Sequence, residues 1–192
     1  TKKGALGVGP GYKKKKAAAG GGGAKAKTEE PSDAKSPFEV HLEKLLDDNG
    51  GLKLAEKVPQ FVWLMKNAPK NRERVIVVTV IHSTSKEVLR AIVASDGLEV
   101  LKEWCEKAAE DRKSSLLLKI LKTLKKLPMS LKALEETRFG VTVKSLRKYS
   151  PSGKEKDDLT RLVQASAKEL KAKWVQMVSI SVPTTNEPAP PP

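Results

Sequence analysis

Cysteine and histidine are nearly absent from this chain of 192 residues, which has one cysteine, Cys105, and two histidines, His41 and His82. A single thiol forms no intrachain disulfide, which fits a reducing compartment, cytosol or nucleus. The two histidines lie far apart in sequence, and with one cysteine they match none of the usual zinc-ligand spacings. Cys105 follows Trp104 on an apolar helical pattern, where a buried structural thiol is expected and not a nucleophile. The acidic pairs Glu135-Glu136 and Asp157-Asp158 fall at predicted helix ends, where they suit caps and dipoles better than acid–base catalysis. No catalytic residue, metal site or cofactor is therefore expected. Aromatics make up 4% of the chain, and most sit in apolar helical patterns, not on an exposed surface for stacking bases. No apolar run approaches a membrane-spanning length, and the N-terminal residues lack the apolar centre of a secretory signal. The glycine-rich "GALGVGPG" of residues 4–11 lacks the preceding strand and following helix that would make it a phosphate loop.

Positive charge is abundant. The formal net charge is +14, and residues 1–35 alone carry 9 Lys against 3 acidic residues. Such a balance favours acidic partners: nucleic acid, acidic peptides or anionic membrane. Residues 1–35 are a basic Gly/Lys/Ala-rich segment and residues 183–192 a Pro-rich one. Both are too poor in bulky apolar side chains to offset their ordering entropy, so disordered tails are expected. Lys13–Lys16 suit a nuclear signal as well as a solvated linker. The foldable part is then residues 36–182, enough for one core.

Within that part the apolar spacing is helical. "SPFEVHLEKLLDD" opens with a Ser36/Glu39 capping box and Pro37, with Phe38, Leu42, Leu45 and Leu46 facing inward. "PQFVWLMKNAP" is apolar nearly all round, so Phe61 to Met65, Trp63 included, are expected to be buried. "RVIVVTVIHS" is β-branched and favours a strand by propensity. No second convincing strand exists to pair with it, so a buried helix is expected. A helix pair hinged at Asp96-Gly97 follows, then a helix over 114–127. There Leu117, Ile120, Leu121, Leu124 and Leu127 share one face, with Lys119, Lys122 and Lys126 on another. Short helices over 130–137 and 140–150 and a polar loop at 150–158 precede a last helix. On it Leu159, Leu162, Val163, Ala167, Leu170, Trp174 and Met177 repeat every three or four residues. The expectation is an all-α domain, a compact right-handed superhelical bundle of about eight helices.

Three stretches together resemble a known family. "SDGLEVLKEWCEKA", "LLKILKTLKKLPMSLKALEETRFGVTVKSLRKY" and "LVQASAKELKAKWVQMV" resemble the TFIIS N-terminal (LW) domain. The signature and core positions are Gly140, Val143, Leu146, Leu170 and Trp174. Upstream, "VPQFVWLMKNA" resembles the extended version in the phosphatase-one nuclear targeting subunit and related transcription-elongation scaffolds. The phosphatase-docking motif of those scaffolds is absent. The resemblance implies a non-catalytic, monomeric nuclear scaffold linked to RNA polymerase II. Its partners would be short disordered segments of transcription or chromatin factors, aromatic-bearing and acidic. It implies an apolar lip at Leu127 and Met129, a second lip at the Ser95-Asp96-Gly97 hinge, and charge from Lys125, Lys126 and Lys132. The alternative is a non-specific nucleic-acid binder using the basic tail and the lysine face of the 114–127 helix.

Overall fold

The first helix starts as its sequence dictates. Ser36 accepts a hydrogen bond from the Glu39 amide at 3.2 Å, and the Glu39 carboxylate accepts from the Ser36 amide at 2.8 Å. A computed structural model describes residues 35–151 and 158–181. The helices are α1 (Pro37–Glu43), α2 (Val58–Lys66), α3 (Asn71–Ser83), α4 (Lys86–Val93), α5 (Gly97–Glu110), α6 (Ser114–Lys126), α7 (Leu131–Thr137), α8 (Phe139–Leu146) and α9 (Asp158–Ser181), with a 3-10 turn at Ala55–Lys57 before α2. The described residues contain no strand, only an isolated bridge between Leu46 and Leu52. The fold is all-α. The expected tails and most of the 150–158 loop lie outside the described residues.

α6 is the structural axis. It packs on α9, on α3 and on α5. Leu117, Ile120, Leu121 and Leu124 are fully buried, and Leu116, Leu118 and Leu127 nearly so. Helices on three sides leave only a narrow polar strip, and Lys119, Lys122 and Lys126 occupy it. The β-branched run forms α3, with Val77, Val78, Val80 and Ile81 buried. Its packing on α6 overrides its strand propensity.

Polar ties fix the ends of these helices. The Tyr149 hydroxyl lies 3.0 Å from Ser114 Oγ at the start of α6. The Gln164 side chain of α9 donates to the Tyr149 carbonyl at 2.6 Å. Thr142 of α8 donates to the Glu106 carboxylate of α5 at 2.8 Å. At the other end the Leu52 amide donates to the buried Thr84 hydroxyl at 2.9 Å. Gly51 makes this approach possible, because a Cβ there would stand 2.7 Å from the Ser83 carbonyl oxygen.

Four expectations need correction. Trp63 is 62% exposed. At 100° per residue Phe61, Val62, Leu64 and Met65 fill the inward arc of α2, and Trp63 points the opposite way with Gln60 and Asn67. Leu159 and Leu162 are also exposed, at 41% and 50%. The buried stripe of α9 runs through Val163, Ala167, Leu170 and Trp174; Leu162 falls beside it, and Leu159 lies in the helix's first turn. Leu45 and Leu46 do face the core, Leu45 buried and Leu46 partly so, but they lie beyond the end of α1, where the chain doubles back through Asp47 and Gly51, whose backbones bond at 2.8 Å. Glu135 and Glu136 occupy the last turn of α7, the negative end of the helix, so a dipole role does not apply to them. Cys105 is wholly buried, and burial pushes its thiol up to about 12.

Truncating Leu121 to Ala should destabilise the domain by about 3 kcal/mol in urea unfolding, the usual cost of a buried leucine that leaves a cavity. Trp63→Phe should change stability by less than about 0.5 kcal/mol. It should also remove the most acrylamide-quenchable fluorescence, leaving that of buried Trp104 and Trp174.

Candidate interaction groove

Two chain breaks build this site. The first lies between α4 and α5. The Ala94 amide donates back to the Arg90 carbonyl at 2.9 Å, and Ser95 Oγ donates to the Ile92 carbonyl at 2.8 Å. α5 then restarts at once at Gly97. A Cβ there would lie 2.9 Å from Ile92 Cγ2 and 3.1 Å from the Ile92 carbonyl oxygen, so the sharp hinge needs glycine. The second break is Pro128. It forces Leu127 out of helical geometry, to φ −62° and ψ 137°. The Met129 amide then donates to the Leu127 carbonyl at 2.9 Å across the proline, a tight three-residue turn. Ser130 caps the next helix by accepting from the Ala133 amide at 3.1 Å.

Packing of α7 on α5 brings the two breaks together. Between them lies a groove of about 460 Å³. One wall is Arg90, Val93, Ala94, Ser95, Asp96, Leu98 and Glu99; the other is Pro128, Ser130, Lys132, Ala133, Glu136 and Thr137.

The site residues expected from the sequence divide between this groove and other places. Asp96 and Lys132 line it. Leu127 is only 3% exposed and belongs to the core, so it is no lip. Its side chain continues the inward row of α6 even as its backbone leaves the helix. Met129 is partly buried against the same core. Lys125 pairs with Glu169 of α9, and Lys126 donates to the His82 carbonyl at the end of α3. Neither lines the groove; both brace α6 against its neighbours. Val143, Leu146, Leu170 and Trp174 are buried, and Trp174 meets Phe139 with ring centroids 6.2 Å apart. Gly140 is exposed in the first turn of α8 with open space where a Cβ would be, so it is not a core position.

The charge of the groove is mixed. Arg90 and Lys132 stand against Asp96, Glu99 and Glu136. Asp96 accepts a hydrogen bond from Lys66 at 2.6 Å, and that bond holds its carboxyl below the usual range while raising Lys66. Lys132 lies 3.7 Å from Glu136 on the same helix face. Arg90 and Glu99 were not foreseen. Arg90 sits on the exposed side of an α4 whose inward residues, Val88, Leu89 and Ile92, drew the reading. Among the described residues no cluster of three or more His, Cys, Asp or Glu is placed to hold a metal, and no helix is long and apolar enough to cross a membrane.

Residues 119–178, from within α6 nearly to the end of α9, match the protein-family model for Med26, the TFIIS helical bundle-like domain. Domains of this description are typically non-catalytic modules for protein interaction in transcription. The matched stretch supplies the Pro128–Thr137 wall of the groove and leaves the Arg90–Glu99 wall outside it. No curated protein matches the chain.

Gly97→Ala should destabilise the domain by about 1–3 kcal/mol in urea unfolding, because the added methyl overpacks against Ile92.

Proposed function

We propose that this domain is a non-catalytic nuclear interaction module. It would bind short, aromatic-bearing segments of disordered transcription or chromatin factors and act as a scaffold in RNA polymerase II-linked regulation. One observation carries the reading. Two loops some thirty residues apart, at Ala94–Asp96 and Pro128–Ser130, face each other across one groove. The second of them lies inside the stretch similar to the TFIIS helical bundle-like domain.

The chemistry suits a peptide. Val93, Ala94 and Pro128 offer apolar surface over buried Leu98 and Ala133, and polar side chains rim it. An aromatic anchor seated there contributes about 2 kcal/mol or more. Lys66 and Lys132 already compensate two of the three groove carboxylates, so they repel an acidic segment little. Arg90 has no acidic partner within ion-pair distance among the described residues, and it is the groove's free cation for such a segment. The net positive charge of the chain speeds approach more than it tightens the complex. Ordering a flexible segment on binding keeps the affinity modest.

The test is a ¹⁵N NMR titration of the whole chain with a synthetic acidic peptide carrying one phenylalanine. Shifts should concentrate at residues 90–99 and 128–137. Ala94→Trp, which fills the groove from an exposed position, should weaken binding about tenfold. Shifts elsewhere, or affinity indifferent to Ala94→Trp, would sink the reading.

A further inference from the structure

A second groove, of about 630 Å³, runs between α8 and α9. Its lining includes Lys144, Arg147, Lys148, Arg161 and Lys168, and no carboxylate. All five cations are exposed. Arg161 has one weak partner, Asp158 at 3.6 Å, itself almost fully exposed. Among the described residues the other four have no acidic side chain within ion-pair distance. On α5, Glu106 accepts a hydrogen bond from Thr142 of α8.

We propose that this groove is a track for the phosphate backbone of duplex nucleic acid. Three features select that partner. Five like charges, of which only Arg161 has an acidic partner among the described residues, repel one another, and a polyanion relieves this while releasing its own counterions. Arg161 and Lys168 stand about 10 Å apart along α9, and Lys144 near the end of α8 is followed by Arg147 and Lys148 in the turn just past it. Their long flexible stems can follow successive phosphates of one strand. Apart from the aliphatic stems of its cations, the groove has only Val141 and Ala165 as apolar side chains to meet a peptide's anchor. Val141, its largest apolar side chain, is 68% exposed and projects as a knob. No aromatic lines it, so stacking of single-stranded bases is not provided for. Binding here is independent of sequence, and it is independent of the peptide groove, with which it shares no residue.

This placement differs from the lysine face of α6 that the sequence suggested. Lys126 there is committed to the His82 carbonyl, and Lys119 and Lys122 flank a smaller depression against α3.

The test uses the whole chain and a fluorescent 20-base-pair duplex, with anisotropy titrations from 50 to 200 mM KCl. The wild type should show a log–log salt slope of about −4.5, for about five phosphate contacts at about 0.9 each. The triple variant Lys144→Ala/Lys148→Ala/Lys168→Ala should bind at least tenfold more weakly, with a slope shallower by about 3 units. The charge-matched control Lys119→Ala/Lys122→Ala/Lys126→Ala should change affinity less than threefold. Circular dichroism checks that both variants fold, and the Lys→Arg triple at the same three positions should restore binding. Equal losses in both Ala variants would mean bulk charge or the basic tail, and would overturn the proposal. A polyglutamate peptide that loses affinity on the groove substitutions while the duplex keeps its own would assign the groove to acidic protein segments and overturn it equally.

Discussion

Burial of α6 on three sides is the constraint from which the rest of this structure follows. A helix enclosed by α3, α5 and α9 must be apolar over most of its circumference, and its five buried leucines and one isoleucine meet that demand. The same enclosure makes the β-branched α3 a helix, because its valines pack against that surface. It also explains why the proline stop matters. Pro128 ends α6 at the edge of the core, so the chain emerges there at the surface. The following turn and α7 become a wall of the interaction groove. Leu127, the last residue before the stop, stays in the core.

Charge in this domain works by location. The lysines nearest the end of α6 serve the fold: Lys125 reaches α9 and Lys126 satisfies a carbonyl at the end of α3. The groove beside them is nearly balanced, with its carboxylates partly compensated by Lys66 and Lys132. The unbalanced charge collects between α8 and α9. Two grooves that share no lining residue therefore differ in charge: one carries both signs and is proposed for a short peptide, the other is lined by cations alone. Whole-chain net charge would not separate them.

The helices were largely legible because each carries its own punctuation. Ser36 with Glu39, Pro128 with Ser130, and Gly97 announce starts and stops through local backbone chemistry. The groove was half legible. Proline and the hinge glycine mark where the chain turns, and turns reach the surface, so Asp96 and Lys132 could be expected to lie beside one another's loops, and both line the groove. Leu127 was misplaced because a pre-proline backbone leaves the helix while its side chain need not leave the core. Lys125 and Lys126 were misplaced because a lysine on a helix face gives no sign of which neighbour it will reach. Trp63, Leu159 and Leu162 show the same limit: an apolar residue in a helical run is buried only where another element covers it.

By itself the sequence determined that the described chain folds as helices, where most of them begin and end, and which stripe of α6 points inward. Those properties depend on contacts within about one helical turn, through capping, proline sterics and periodicity. Tertiary structure alone decided which surfaces meet: the two remote loops that frame one groove, the lysines spent as braces, and the five cations from α8, the turn after it and α9 that share another. Such pairings depend on how helices pack across long sequence separations, and no local pattern encodes that distance.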